Sequence, residues 1–161
     1  VKKLDYECEL AGVLGRDARD VPAGQTRDYI FGYTILNDVS ARDVQTAHKQ
    51  WYFGKSLDGF TPIGPCIVTA DAFADYPPRL GIRSFVNGEK RQDSNTALQI
   101  FDIDHVIAEL SQGMTLKAGT IIATGTPAGV GMGMDPPQFL KPGDVVRCEN
   151  EGICTLTNPV K

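Results

Sequence analysis

The sequence has no excess of positive charge, few histidines and no long apolar run, and each lack closes off a class of protein. Lys and Arg number 16 against 20 Asp and Glu, for a net charge of −4. With no basic run either, nothing supplies the electrostatic footprint of a nucleic-acid binder. No segment approaches the roughly 18–20 consecutive apolar residues of a membrane span. The opening residues show no charged n-region, apolar h-region or cleavage site of a signal peptide. The four cysteines, Cys8, Cys66, Cys148 and Cys154, form no CxxC pair and lack zinc spacing with His48 and His105, the two histidines. Scattered through apolar surroundings, they read as buried free thiols and hence as the mark of a reducing, cytoplasmic setting. The chain starts at Val1 rather than methionine, and it reads as part of a longer polypeptide.

What is present describes an ordinary globular domain. The 161 residues, 42% hydrophobic and 22% charged, suffice for one domain with a sizeable core. Seventeen glycines and ten prolines punctuate many short apolar runs. Residues 4–14, 29–37, 65–70, 81–87, 120–125, 144–149 and 153–157 read as strands. Asn87-Gly88 is a strong hairpin signal, and a second hairpin is expected around Glu151-Gly152. One segment has helical periodicity: Ile103, Val106, Ile107 and Leu110 recur at i, i+3, i+4 and i+7, after Asp102 as N-cap and before Gly113 as stop. "SARDVQ", 40–45, reads as a helical turn capped by Ser40. "LKAGTIIATG" and "LKPGDVVRCE" are alike because a turn precedes a strand in each. The expected fold is mainly β (α+β), with one main helix at about 102–112 and short helical turns, and without the βαβ alternation of a doubly wound sheet.

The chemistry concentrates in a few stretches. In "LDYECEL", an extended strand would put Glu7 and Glu9 on one face. Two carboxylates about 5–6 Å apart repel by roughly 3 kcal/mol at an effective dielectric near 20. On an exposed face water screens that repulsion and the pair means nothing. Otherwise the pair needs a shared proton or a bound hard cation. A third oxygen donor stands in "ILNDVSARDVQ", where Asp38 ends an apolar strand; Asp43, five residues on, fits the outer face of the turn. Lys55 follows Trp51, Tyr52 and Phe53 in a loop where partial burial could aim its ammonium at an anion, though an ordinary solvated lysine reads as well. Lys49 stands where a phosphate-binding loop needs glycine, so Gly54-Lys55-Ser56 does not make one. In "ATGTPAGVGMG" the glycines permit close backbone approach to a ligand, and Thr124 and Thr126 offer hydroxyls.

In order along the chain, "LDYECELAGVLG", "GYTILNDVSARDVQ", "GKSLDGFTPIGP", "VNGEKRQDSNT", "LSQGMTLKAGTIIATGTPAGVG" and "LKPGDVV" resemble the C-terminal catalytic domain of the fumarylacetoacetate hydrolase superfamily. Within it the chain resembles the bacterial group of acylpyruvate hydrolases, hydroxyheptadienedioate isomerases and related decarboxylases. The resemblance implies that residues 1–161 form one catalytic domain with a mixed β-roll fold, acting as a homodimer. It implies a Mg²⁺ (or Mn²⁺ or Ca²⁺) held by Glu7, Glu9 and Asp38, with Lys55 at the substrate and Arg42, Gln45 and Thr126 lining the pocket. The implied reaction is hydrolysis of a C–C bond beside a carbonyl in a small β-diketo or acylpyruvate-type acid, in catabolism of aromatic compounds. Isomerisation or decarboxylation of hydroxymuconate- or oxaloacetate-type acids is the alternative, and a non-catalytic keto-acid binder a third. Family members carry, ahead of the ExE strand, a His/Glu segment that activates water. Nothing here matches it, so it is expected before Val1 or is missing. His105 reads as structural and His48 as a solvated loop residue.

Overall fold

A computed structural model describes every residue of the chain except His48. The chain runs β1 (Leu4–Asp5), β2 (Cys8–Leu14), β3 (Ile30–Asn37), β4 (Ser40–Ala41), α1 (Arg42–Ala47), β5 (Ile63–Thr69), β6 (Gly81–Val86), β7 (Glu89–Asn95), α2 (Ile103–Gly113), β8 (Ile121–Ala123), β9 (Val145–Asn150) and β10 (Cys154–Pro159), with short 3-10 turns between them. One sheet has the order β5-β3-β2-β8, a second β10-β9-β6-β7, and β1 pairs with β4. Each of these pairings is antiparallel. The mainly β roll with one principal helix is as the sequence implies.

Strand β2 lies between β3 and β8 and is buried along its whole length. Its alternation sends Leu10 and Leu14 into a cluster with Ile30, Tyr33, Leu116 and Ile122, where Ile103 and Ile107 of α2 dock. Gly12 makes that docking possible, since a Cβ there would lie 2.0 Å from Ile103 Cδ1. Between the sheets, Tyr6, Cys8, Ile35, Ile82, Val146 and Cys148 pack into a second cluster.

The punctuation reads through well. Asn87 and Gly88 both have positive φ (51° and 85°) and close the β6–β7 hairpin, the conformation a type I′ turn needs. The β9–β10 hairpin turns at Glu151–Ile153, with Gly152 at φ 74°. Asp102 caps α2 by accepting from His105 N at 2.9 Å.

Four expectations change. The strand anticipated over 4–14 is broken at Tyr6 and Glu7, because β1 turns aside to pair with β4. Ser40 is in β4 and its hydroxyl donates to Asp38 O, so it does not cap α1, which begins at Arg42. Leu110 is 37% exposed; Ile103, Ile107, Ala108 and Ser111 form the inner face of α2 instead. Finally, Cys66 of β5 and Cys154 of β10 are joined as a disulfide between the edge strands of the two sheets, while Cys8 and Cys148 are free and buried. Cysteine usage therefore does not point to a reducing compartment. Among the described residues no helix is long and apolar enough to cross a membrane.

This bridge spans 88 residues of sequence, and in the chain-entropy view a closure of that length stabilises by up to roughly 4.6 kcal/mol. Under denaturing, non-reducing conditions, thiol titration should count Cys8 and Cys148 alone, and dithiothreitol should lower the melting temperature. Cys154→Ser should melt at the reduced wild-type temperature and be insensitive to reductant.

Candidate metal and substrate site

The end of β3 and the gap between β1 and β2 build the site. Asn37, fully buried at the close of β3, accepts Glu7 N through Oδ1 at 3.0 Å, and Asp38 N donates to Glu7 O at 2.9 Å. These two bonds clamp Glu7 beside Asp38. Cys8 N, between the two glutamates, donates to Gln92 Oε1 at 3.1 Å. Next to it, Glu9 projects from β2 and accepts Gly125 N through Oε2 at 2.8 Å. So the two glutamates converge although only one of them lies in a strand. One carboxylate oxygen from each of Glu7, Glu9 and Asp38 lies within 4.8 Å of the others.

Two cations border the three acids. Lys55 Nζ lies 3.0 Å from Glu7 Oε2, 2.5 Å from Asp38 Oδ2 and 3.0 Å from Ser40 Oγ. Burial disfavours its ammonium, but the bonds to Asp38 and Glu7 outweigh that and raise its pKa above the ordinary lysine range. Its position depends on Gly54, where a Cβ would meet the Gln45 backbone nitrogen at 2.6 Å. Arg42, buried at the start of α1, pairs with Glu7 Oε1 at 2.6 Å and with Asp5 Oδ2 at 3.0 Å. Gln45 Oε1 accepts from the same guanidinium at 3.1 Å.

Burial pushes the Glu9 carboxyl up to about 7; Gly125 N–H works against the shift, and the charges on Asp38 and Glu7 add to it. Four carboxylates, Asp5 included, thus face two cations in a poorly solvated cluster, a deficit that one divalent ion would cancel. An all-oxygen, carboxylate-rich donor set suits Mg²⁺, Mn²⁺ or Ca²⁺. The residues fit such an ion.

The remaining expected residues are dispersed around this centre. Thr126 Oγ1 donates to Cys8 O at 2.9 Å and accepts from Gln92 Nε2 at 2.8 Å, so it braces the Gly-rich loop against β2. Asp43 accepts Lys2 N at 2.9 Å, away from the cluster. His105 is on α2, stacked on Phe101 with ring centroids 4.6 Å apart. His48 lies outside the described residues. Sequence reasoning passed over Asp5 and Gln92. Asp5 precedes Glu7 by the same two-residue step that drew notice to Glu9. Gln92, 1% exposed, reaches in from the other sheet, which no local pattern announces.

A model of the family described as "Fumarylacetoacetate (FAA) hydrolase C-terminal" matches residues 1–161. An oxaloacetate tautomerase of Bacillus subtilis is 48% identical over 158 residues, 98% of this chain and 52% of its own length. A mitochondrial oxaloacetate tautomerase of Xenopus laevis is 45% identical, over 99% of this chain and 50% of its own. Among solved structures, a fumarylacetoacetate hydrolase from Exiguobacterium antarcticum superposes with a TM-score of 0.96 at 51% identity, covering all of this chain and 57% of that one. A 5-carboxymethyl-2-hydroxymuconate delta-isomerase from Mycobacterium smegmatis gives 0.88 at 45%, covering 98% and 59%. The chain spans about half the length of the curated relatives it matches.

The raised Glu9 pKa has a thermodynamic consequence for the metal-free protein. A carboxyl whose folded pKa lies above its ordinary value contributes stability when protonated, and this is lost as pH rises from about 4.5 through about 7. The shift corresponds to about 3 kcal/mol. In chelator, denaturant melts of Glu9→Gln should lack this decline, so that the variant gains on wild type across the interval. Parallel pH profiles for the two proteins would show that Glu9 carries no such shift.

Proposed function

The chain belongs to the fumarylacetoacetate hydrolase family, and on that premise we propose that it is a divalent-metal-dependent enzyme that interconverts keto and enol forms of small 2-oxo acids of the oxaloacetate type. The observation that carries this reading is the convergence of Glu7, Glu9 and Asp38 within 4.8 Å, with the Lys55 ammonium bonded to two of them.

Those three acids would hold the ion, with Mg²⁺ first among the candidates, and a bound divalent cation supplies Lewis acidity toward an enolate. Lys55 meets the anionic substrate as an ammonium and holds a proton at Nζ beside the site where the enolate would form. Arg42 and Gln45, both buried and bonded to each other, fix one face of Glu7. Gln92 and Thr126 keep the Gly125 loop against Glu9.

Two relatives named as oxaloacetate tautomerases and a solved isomerase favour proton transfer over bond cleavage. Hydrolysis of acylpyruvate-type acids is the second reading, favoured by the superposition on a fumarylacetoacetate hydrolase. It asks for a water-activating base in addition to this cluster. Decarboxylation shares the enolate, and a role in aromatic catabolism goes with the hydrolytic substrates. A keto-acid binder without turnover would use the same cluster.

The decisive assay follows the enol absorbance of oxaloacetate, in parallel with an acylpyruvate and a hydroxymuconate-type dienoate. Chelator should abolish the rate and Mg²⁺ restore it above that of the same free Mg²⁺ in buffer. Lys55→Met should lower kcat by about a hundredfold or more. Rates indifferent to chelator on all three substrates would refute the metal mechanism. Oxalate raising the melting temperature only with Mg²⁺, together with no turnover by the full-length protein, would favour the binder.

We also propose that the chain acts as a homodimer. On the sheet face that carries Glu9, strand register places Val13, Thr34, Ile63 and Ile121. They border an open cavity of about 540 Å³ with Pro65 and Ile67, and Ile63, Ile67 and Ile121 are 41%, 47% and 48% exposed. A second copy would cover this face. Light scattering after gel filtration should give a dimer for wild type and a monomer for Ile67→Glu/Ile121→Glu; a monomeric wild type would refute it.

A further inference from the structure

A fourth acid holds the arrangement around the proposed metal ligands. Asp5 is completely buried, and its oxygens accept four N–H groups. Tyr6 N and Gly131 N donate to Oδ1 at 2.9 and 2.7 Å, and Met132 N and Arg42 Nε donate to Oδ2 at 2.9 and 3.0 Å. A carboxylate bound on every side cannot turn. It has no opening to solvent, so it does not meet substrate.

What it touches does reach the site. The Arg42 side chain, 5% exposed, runs from Asp5 to Glu7 and binds Oε1 at 2.6 Å. With Oε1 held by Arg42, Glu7 turns Oε2 toward Lys55 Nζ, which it shares with Asp38 Oδ2, and so toward the other acids. The Asp5 carboxylate also anchors Gly131 and Met132, in the loop whose other end, Gly125, holds Glu9. Gly131 has no room for a side chain: a Cβ would lie 2.0 Å from Gln138 O and 2.8 Å from Asp5 Oδ1.

The geometry points to Asp5 as a positioning residue that acts through Arg42 to orient Glu7 for the ion, an inference that rests on the metal reading above. Asp5→Asn turns an amide N–H₂ against donors of Arg42 and Met132, and so loosens the guanidinium without removing side-chain volume. Arg42→Lys leaves Asp5 bonded to Gly131 and Met132 but loses the fork that spans two carboxylates.

The test measures Mn²⁺ affinity of the chelator-stripped 161-residue chain by electron paramagnetic resonance of the free ion. Each single variant should bind at least tenfold more weakly than wild type. Their combination should be no weaker than Asp5→Asn alone, within about twofold, because both act on one contact. Ile107→Val, in the α2 core, should lower the melting temperature and leave Mn²⁺ affinity unchanged, which separates positioning from general loss of stability. Wild-type affinity in folded Asp5→Asn, or losses that multiply in the double variant, would overturn the relay. If Asp5→Asn does not fold, Arg42→Lys decides, and wild-type affinity there overturns the relay equally. A wild type that takes up no Mn²⁺ overturns the metal reading, and the relay with it; binding by wild type with both variants unaffected overturns the relay alone.

Discussion

Like charge held out of water organises this molecule. Glu7, Glu9, Asp38 and Asp5 lie within one partly or wholly buried region, and Arg42 and Lys55 are the cations that meet them. Carboxylates in such surroundings are costly unless each is paired, hydrogen-bonded, protonated or bound to an ion. Here every one of those devices is in use or provided for. Asp5 has its four N–H donors, Glu7 its two cations, Asp38 the Lys55 ammonium, and Glu9 a backbone N–H together with a pKa near neutrality. The parts of the fold that meet at this point do so because those partners have to be supplied from somewhere.

They come from distant stretches. The β3 end provides Asn37 and Asp38, the turn after α1 provides Lys55, β7 sends Gln92 across from the other sheet, and the loop after β8 brings Gly125 and Thr126. The Gln92, Gly125 and Thr126 contacts satisfy backbone or side-chain polar groups that β2 buries. The strand carrying Glu9 is central in its sheet, so the site is anchored in the most thoroughly packed element of the chain. Rigid support of this kind is what a centre stabilising developing negative charge needs, because its charges must already be in place when the electrons move.

Family membership and the near-identity of backbone with solved relatives establish the scaffold. They do not choose among reactions. Tautomerisation, hydrolysis and decarboxylation share an enolate, and solved relatives bearing different names superpose on 98% or more of the chain. The choice among them depends on what delivers protons or water to that enolate, which is where Lys55 and the uncovered sheet face beside Glu9 carry the interest.

Alternation and turn chemistry made most of the architecture legible. Asn87-Gly88, Asp102 and the short apolar runs act locally, and a strand or cap decided by a few adjacent residues can be read one residue at a time. The acidic residues of the centre were legible too, since Glu7, Glu9 and Asp38 stand out as charges beside apolar strands. The break at Tyr6–Glu7, the disulfide between Cys66 and Cys154, the exposed Leu110 and the roles of Asp5 and Gln92 were not. Each depends on which distant element comes alongside: β4 drawing β1 away from β2, two edge strands meeting, a helix rotated onto Gly12, a glutamine reaching from the opposite sheet. Sequence by itself determined the chemical types and their local periods, because those are properties of neighbouring residues. Only tertiary structure decided which charges share one small volume, because that is set by packing between segments tens of residues apart.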